Sequence, residues 1–435
     1  MQTHLISRLS EHVGEEVELK GWAYNFRSSG KIFFLQFRDG SGFVQVVYVK
    51  SDENTSLWET LNALKMEASV IVRGVVKEDA RAPSGYELDG KTVELIQNPT
   101  EDYPIGKKEH GPEFLMDYRH LWIRSSKQWA SLRIRDEVFW RVEEFLRQNQ
   151  FTRTDTPIFQ PTSCEDTTQL YEVDHFGTTV YLTQSGQLYL EAIEHSLGRV
   201  YDFGPVFRAE KSKTRKHLNE FWMMDWEAIF LDQQESEDLT ERMLKYVLDH
   251  VLKHRQTELK ILERDLTLLE RAVSEPFPRI KLRDMIRLLN EEHGFHLKPE
   301  DDLTTEAEAK IGEIYGVPVF VEDYPFAVKA FYMKRYLDED GIERGFCADL
   351  IAPEDAGEIG TSAVREERYD VLLTALKSRG YRVEDYQWYL DLRKFGSVPH
   401  AGGGIGAERW VRWITGANHI RETIPFPRTM TRFYP

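Results

Sequence analysis

The stretch Val200-Tyr-Asp-Phe-Gly-Pro-Val-Phe-Arg-Ala-Glu210, followed after the basic segment Lys211–Leu218 by Asn219-Glu-Phe-Trp-Met-Met-Asp-Trp-Glu227, carries most of the information in this sequence. Both ends read as strands, so the segment between them is a long loop bearing Lys211, Lys213, Arg215 and Lys216. Arg208 and Glu210 stand at its entrance, His217 and Phe221 at its exit. A bent triphosphate suits that layout. The planar fork of Arg208 can chelate an α-phosphate, His217 can reach a γ-phosphate, and Phe221 offers a face to a purine. A salt-bridged surface hairpin is the blander reading, and the better one for an Arg-x-Glu met alone.

Further along, His400-Ala-Gly-Gly-Gly-Ile-Gly-Ala-Glu-Arg409 precedes a helical run, Trp410–Thr415. Its glycines would let the backbone approach a nucleotide closely, and Arg409 opens the helix beside it. Gly402 to Ala407 imitates a dinucleotide fingerprint only weakly, because Pro435 follows too soon for a βαβ unit. Upstream, Ile134, Val138, Val142, Phe145 and Leu146 mark the buried stripe of a helix over Leu132–Asn149. Leu239, Met243, Val247 and Val251 mark a second helix. Tyr181–Thr183, Arg199–Phe203, Phe221–Phe230, Pro318–Val321 and Phe331–Met333 read as strands. Strands interleaved irregularly with helices predict an α+β fold with an antiparallel sheet.

Residues 1–98 have a different texture. Glu16–Trp22, Lys31–Arg38, Val44–Val49 and Ser69–Val75 are β-rich, with Asp39-Gly40-Ser41-Gly42 as a turn. Phe33, Leu35 and Phe37 alternate with Phe34, Gln36 and Arg38, which predicts a small closed barrel with one polar-aromatic face. Such faces suit single-stranded nucleic acid. Pro99, Pro104, Gly106, Gly111 and Pro112 punctuate a connector carrying Lys107 and Lys108, so 99–125 reads as a hinge and 126–435 as the larger domain.

The 435 residues suit two or three domains, and a 41% hydrophobic, 12% aromatic composition can fill sizeable cores. No segment is apolar enough for long enough to cross a membrane, and Met1–Ser10 lacks the apolar centre of a signal peptide. Cys164 and Cys347 fit neither metal nor disulfide spacing, and read as small buried residues in a reducing, cytoplasmic setting. A net charge of −17 argues against nucleic acid in bulk, but potentials are local. Gln234–Glu241 and Glu300–Glu308 read as solvated acidic faces. Arg119–Arg135 and Lys211–Lys216 are basic islands able to hold phosphates with strong salt dependence.

The Phe207-Arg-Ala-Glu210 loop and Gly404-Ile-Gly-Ala-Glu-Arg409 together resemble the second and third signature motifs of class II aminoacyl-tRNA synthetases. Thr156-Pro157, after the long helix, resembles the first motif, whose proline marks the dimer interface in that class. The resemblance runs through Ile424-Pro-Phe-Pro-Arg428 and is closest to the asparaginyl members, with the aspartyl members next. It implies an N-terminal five-stranded OB-fold barrel for the anticodon and a class II catalytic domain with an antiparallel sheet flanked by helices. It also implies ATP contacts at Arg208, Glu210, Lys216, His217, Leu218, Phe221, Glu358, Gly406 and Arg409, with Arg208, Arg409 and Glu358 nearest the chemistry. Asp349, Glu358 and Thr361 would serve Mg2+. The amino acid's carboxylate would attack the α-phosphorus in line, and the adenylate would then pass its acyl group to tRNA.

For the amino acid, the resemblance assigns Glu165 to the α-ammonium group and Ser185-Gly-Gln-Leu-Tyr189, with Ser185 and Gln187, to the floor of the site. Leu190 stands where aspartyl enzymes carry a lysine. Burying a carboxylate without that cation costs several kcal/mol, a penalty a neutral amide avoids. Arg365 would donate to the side-chain carbonyl, and Asp225, where asparaginyl enzymes usually have glutamate, would accept from the amide. Gly360–Val364 departs from the family's Gly-Gly-Ser-Gln run, with Thr361 keeping a hydroxyl. Phe34 and Gln45 match the pair that reads the central anticodon uridine. L-asparagine, tRNA(Asn) and a second copy of the chain are the implied partners, without a membrane. The alternatives are an aspartyl enzyme, including one that charges both tRNAs, an asparagine-forming paralogue (which would lack the barrel), and a regulatory relative (which would lack Arg208 or Arg409). His195 and His400 read as satisfied polar residues, Trp222 and Trp226 as packing groups, and Lys211–Lys216 as an acceptor-stem contact.

Overall fold

Alternation along residues 16–97 closes a barrel. β1 (Glu16–Ser29), β2 (Ile32–Arg38), β3 (Phe43–Val49), β4 (Ser69–Glu78) and β5 (Tyr86–Gln97) pair in the order β1-β2-β3-β5-β4, and β1 pairs with β4 to complete the ring. Phe33, Leu35 and Phe37 are buried with Leu19, Val46 and Val72, whereas Phe34 and Gln36 face outward. A bulge between Ala23 and Asn25 bends β1 so that it can serve both neighbours. β5 lies outside the β-rich runs of the sequence because Asp89-Gly90-Lys91 breaks its alternation; Gly90 is needed there, since a Cβ would strike the Tyr48 ring. A helix, α1 (Thr55–Ala63), links β3 to β4.

The structure is a computed structural model describing residues 3–435 apart from 83, 107, 165–168 and 212–213. It comprises two compact units, Met1–Leu115 and Met116–Pro435. The division falls within the stretch 99–125 expected as a hinge, yet 116–125 are part of the larger unit. Arg119 is the reason: fully buried, it donates to the carbonyls of Ile424 (2.7 Å) and Pro425 (2.8 Å) and to Gln128 Oε1 (2.6 Å). Arg135 is also internal, bonded to the Thr423 carbonyl at 3.2 Å and to Glu408 at 2.7 Å. These two members of the basic island 119–135 are therefore internal struts, a correction to its reading as a phosphate surface.

In the larger unit, α2 (Ser126–Gln148) starts at Ser126 instead of Leu132 because the Ser125 side chain accepts from the Gln128 N–H. Next come β6 (Thr152–Arg153), α3 (Gln187–Leu197), β7 (Arg199–Phe207), β8 (Glu220–Ile229) and α4 (Gln233–His254). After them come β9 (Arg279–Lys281), α5 (Thr305–Tyr315), β10 (Val319–Glu322), β11 (Cys347–Ala352), β12 (Gly357–Val364), β13 (His400–Gly406) and α6 (Ala407–Thr415). One sheet runs β9-β10-β11-β12-β13-β8-β7-β6; every pairing is antiparallel except the outermost two, β9–β10 and β7–β6. Met224, Trp226 and Ala228 pack with α2, α4 and α6, so by alternation Asp225 and Glu227 project from the opposite face. That opposite face carries the site.

Two sequence expectations need correcting. Phe331–Met333 forms no strand: Phe331 and Tyr332 lie in a turn, and Met333 makes a single bridge to Arg365. A short apolar run cannot separate a strand from a buried turn, and Phe331 and Tyr332 are apolar because they pack with Leu188 and Tyr389. In Gln234–Glu241, Ser236 and Glu237 are fully buried, with Glu237 paired to Arg279 at 2.9 Å, so that face is only partly solvated. Tyr181–Thr183 overlaps the strand Thr178–Leu182, which belongs to a separate three-stranded sheet.

A capping box in which Asp232 accepts from the Glu235 N–H starts α4. Replacing Asp232→Ala should cost about 1 kcal/mol of stability, read as a lowered midpoint in thermal or urea unfolding. An unchanged midpoint would mean that packing alone fixes the start of the helix.

Candidate functional site

The site is built where β8, β13 and β12 run side by side. In register, Asp225 faces Gly404, Trp226 faces Gly403 and Glu227 faces Gly402, while Thr361 of β12 faces Gly404 from the other side. A Cβ at Gly402 would collide with the Glu227 carboxylate; one at Gly403 would come within 2.6 Å of the Thr361 carbonyl, and one at Gly404 within 2.7 Å of Asp225 Oδ1. The glycines therefore make room for side chains of the neighbouring strand. Above the strands opens a cavity of about 490 Å³.

At one end of the cavity stand Arg208, Glu210, Lys216, His217, Leu218, Phe221, Gly406 and Arg409. Residues from both ends of the basic loop thus meet the start of α6 in one place. The Phe221 ring lies 3.9 Å from where a Gly406 Cβ would sit, and Arg409 Cγ 3.8 Å from it, so both side chains border the bare backbone of Gly406. Arg409 donates to the Glu358 carbonyl at 2.6 Å and lies 3.3 Å from its carboxylate. Burial holds the His217 imidazole below its usual range, helped by Arg409 and Arg208 and opposed by Glu210. Lys216 turns inward, 3.1 Å from Asp355 and 3.9 Å from Glu308. Lys213 lies outside the described residues.

Ser185, Gln187, Asp225 and Arg365 line the other end. Asp225 is buried; its Oδ2 accepts from the Ser185 hydroxyl (2.6 Å) and the Gly186 N–H (3.0 Å), which fixes the carboxylate's orientation. Arg365 is buried over the Tyr332 ring, and its Nε–Nη2 edge is taken up by Glu227, with contacts of 3.2 Å and 2.5 Å. Glu191, Arg393 and His400 form a fully buried network nearby. Glu191 contacts Arg393 (2.6 Å) and His400 Nε2 (3.1 Å), and His400 Nδ1 contacts the Val398 carbonyl (2.7 Å). Burial, with Glu227 and Glu191 close by, pushes the Glu194 carboxyl up to about 10, so it holds its proton. Leu190 is fully buried in the first turn of α3 and is not part of the cavity wall. Glu165 lies outside the described residues.

Asp349, Glu358 and Glu308 form a third group, each of the other two acids lying close enough to Glu358 to feel its charge. Asp349 Oδ2 is 2.6 Å from Lys329 Nζ, whose ammonium rests on the Tyr324 ring, 3.7 Å from its centre. Burial first, and Glu358 in addition, push Asp349 up to about 6 and Glu308 up to about 7. Clustered carboxylates are hard oxygen donors, which fits a divalent cation such as magnesium. Among the described residues no group of three His, Cys, Asp or Glu side chains could hold a metal unaided, so phosphate oxygens and water would have to complete the shell. Glu358 and Thr361 also line the cavity. Glu308, Lys329, Glu227 and Tyr332 were not singled out in the sequence; Glu308 sat inside an acidic run that looks solvated, and no local signal separates it from its neighbours.

In the smaller unit, Phe34 and Gln45 share the outer face of β2 and β3: Gln45 pairs with Gln36, and Phe34 with Val47. Arg27 stacks 4.6 Å over the Phe34 ring, and Gln45 Nε2 donates to Glu87 at 3.3 Å. Cys164 and Cys347 form no disulfide, and both are buried, as are Trp226 and the fully enclosed His400.

Asp202, opposite Asp225 in the β7–β8 pairing, accepts from Thr156 Oγ1. Burial, and then Asp225, raise its carboxyl from 3.8 to about 8. Between those values the folded chain keeps a proton that the unfolded chain releases, so this group makes stability fall as pH rises through the window. Asp202→Asn should flatten the decline of melting temperature over that range; an unaltered slope would place the pH dependence elsewhere.

Residues 111–430 match the family described as tRNA synthetases class II (D, K and N), and residues 17–96 match the OB-fold nucleic acid binding domain. The asparagine–tRNA ligase of Streptococcus sanguinis is 48% identical over 441 residues, covering 98% of each chain. Among solved structures, asparaginyl-tRNA synthetase from Pyrococcus horikoshii complexed with asparaginyl-adenylate superposes with a TM-score of 0.90 at 39% identity, covering 98% of this chain and 97% of that one. The asparaginyl-tRNA synthetase of Entamoeba histolytica gives 0.88 at 30% identity, covering 97% of both.

Proposed function

This chain belongs to the class II tRNA synthetases of the D, K and N group, and from that premise we infer that it activates asparagine with ATP and transfers it to tRNA. The observation that carries the inference is a single cavity with cations and Phe221 at one end and Asp225 beside Arg365 at the other.

In this reading Arg208 takes the α-phosphate, His217 and Arg409 the outer phosphates, and Phe221 with Arg409 the faces of the adenine. Asparagine's carboxylate attacks the α-phosphorus in line; a phosphorus–oxygen bond forms as the bond to pyrophosphate breaks. Positioning and charge neutralisation supply the acceleration, and no protein nucleophile is needed. Glu358, with Asp349 and the Thr361 hydroxyl, would hold magnesium, which when bound neutralises phosphate charge. Glu165 is our candidate for the α-ammonium group, and Gln187 and Ser185 form the floor.

Amide over carboxylate follows from charge. Asp225 is an acceptor fixed by Ser185, and Glu227 already shares the Arg365 guanidinium. A substrate carboxylate would meet one more negative group than cation, whereas an amide can donate to Asp225 and accept from Arg365. Leu190, where aspartyl enzymes carry a lysine, supplies no cation to this end. An aspartyl enzyme is therefore disfavoured, and an asparagine-forming paralogue without a barrel is disfavoured by the match over residues 17–96.

The finer partners belong to the same proposal. tRNA(Asn) would be read by Phe34 and Gln45, and Lys211 and Arg215 would approach its acceptor end. A second copy of the chain would cover Pro157, Ile158 and Phe159 and the exposed Trp140, apolar groups that a lone protomer leaves in water. The setting we assign is the cytoplasm, where translation substrates are found.

Amino-acid-dependent exchange of pyrophosphate into ATP tests the reading. Asparagine should support exchange, aspartate should be worse by at least ~100-fold in kcat/KM, and chelating magnesium should stop it. Comparable rates with both amino acids would overturn the specificity, and none with either would overturn the function. Phe34→Ala should raise KM for tRNA in aminoacylation by about tenfold and leave exchange untouched; a change in both assays would place its effect in folding.

A further inference from the structure

The turn that leads into β12 and delivers Glu358 is held in an unusual way. Glu354 and Asp355 both have positive φ, 60° and 56°, and Gly357 has 71°. Left-handed backbone at two non-glycine residues persists only where surrounding contacts over-determine it. Those contacts come from four separate segments. Arg264 takes the Glu354 carboxylate with both Nη1 and Nη2. Arg412 of α6 donates to the Asp355 carbonyl at 2.8 Å. Lys216, from the basic loop, reaches the Asp355 carboxylate at 3.1 Å. Glu308 of α5, whose side chain is 20% exposed, accepts from the Glu358 N–H at 3.3 Å and lies 3.9 Å from Lys216.

Gly357 sits in the middle of this arrangement. A Cβ there would strike Glu308 Oε2 and approach Lys216 Nζ to 2.8 Å, so the glycine leaves space for that pair as well as accepting the backbone angle. Arg264 and Arg412 grip the outside of the turn. Of these four groups only Glu308 meets the backbone of Glu358, accepting from its N–H while Arg409 takes the carbonyl, and it also faces the loop cation that lines the cavity.

We propose that Glu308 is a positioning residue for the activation step: it sets Glu358 through the backbone N–H and holds Lys216 toward the cavity, joining the third strand of the site to the basic loop. This rests on the reading of the cavity as the ATP site. Glu308 touches neither substrate; it acts through two groups that do. Its removal should therefore affect ATP and leave the amino-acid end, built on β8 and Arg365, nearly unaltered.

Kinetics of asparagine-dependent pyrophosphate exchange by the full chain, with Glu308→Ala and Glu308→Gln, test this. Glu308→Ala should raise KM for ATP by about tenfold while KM for asparagine stays within about twofold. Glu308→Gln keeps an oxygen that can accept from the Glu358 N–H and should recover most of the loss. Melting temperature, recorded for each variant, separates this from unfolding, because a merely structural role would lower it without splitting the two KM values or responding to glutamine. An unchanged KM for ATP in Glu308→Ala, equal rises for both substrates, or a glutamine variant no better than alanine would each overturn the proposal. Absence of exchange in the unmodified chain would instead refute the functional reading beneath it.

Discussion

The close approach of β8, β13 and β12 is the constraint on which the site depends. Strands in a sheet sit about 4.8 Å apart, so a side chain that leans across a neighbouring strand needs that neighbour to give up its own. Gly402, Gly403 and Gly404 do so for Glu227, Trp226 and Asp225. Trp226 goes to the helical layer and helps tie α2, α4 and α6 to the sheet. Asp225 and Glu227 go to the other face, where one presents an acceptor to the cavity and the other grips Arg365. Packing on one side and chemistry on the other are therefore set by the same three residues, read in opposite directions by the pleat.

Charge is distributed in the cavity by pairing. Arg365 has Glu227, Asp349 has Lys329, Glu358 has Arg409, and Glu308 looks toward Lys216. Each pair is partly or wholly removed from water, where an unmatched ion would be costly. A ligand carrying both phosphates and a metal can exchange partners with such pairs at little net desolvation, since each phosphate replaces a carboxylate and each cation an ammonium or guanidinium. Among the described residues no cation is left over at the amino-acid end, and an uncharged side chain is the better fit.

The parts of the fold readable from sequence were those with strong periodicity. The stripe of Ile134, Val138, Val142, Phe145 and Leu146 and the alternation of Phe33, Leu35 and Phe37 are both buried as the patterns require. The residues flanking the basic loop and those near Arg409 do meet, because two antiparallel strands and a following helix leave little choice. What could not be read were long-range pairings. Arg119 looked like part of a basic surface and is an internal strut, since its partners Ile424 and Pro425 lie 305 and 306 residues away in the chain and within hydrogen-bond distance in space. Glu308 looked solvated for the same reason. Phe331–Met333 looked like a strand because burial, not pairing, selects its apolar side chains.

The central claim is that this cavity holds an aminoacyl-adenylate whose side chain is a neutral amide. Calorimetric titration with the non-hydrolysable sulfamoyl analogues of asparaginyl- and aspartyl-adenylate measures it directly, free of catalysis and tRNA. The account predicts that the asparaginyl analogue binds more tightly by at least ~100-fold, and that an arginine-to-leucine change at 365 erases most of that difference. Equal affinities, or a preference for the aspartyl analogue, would contradict it.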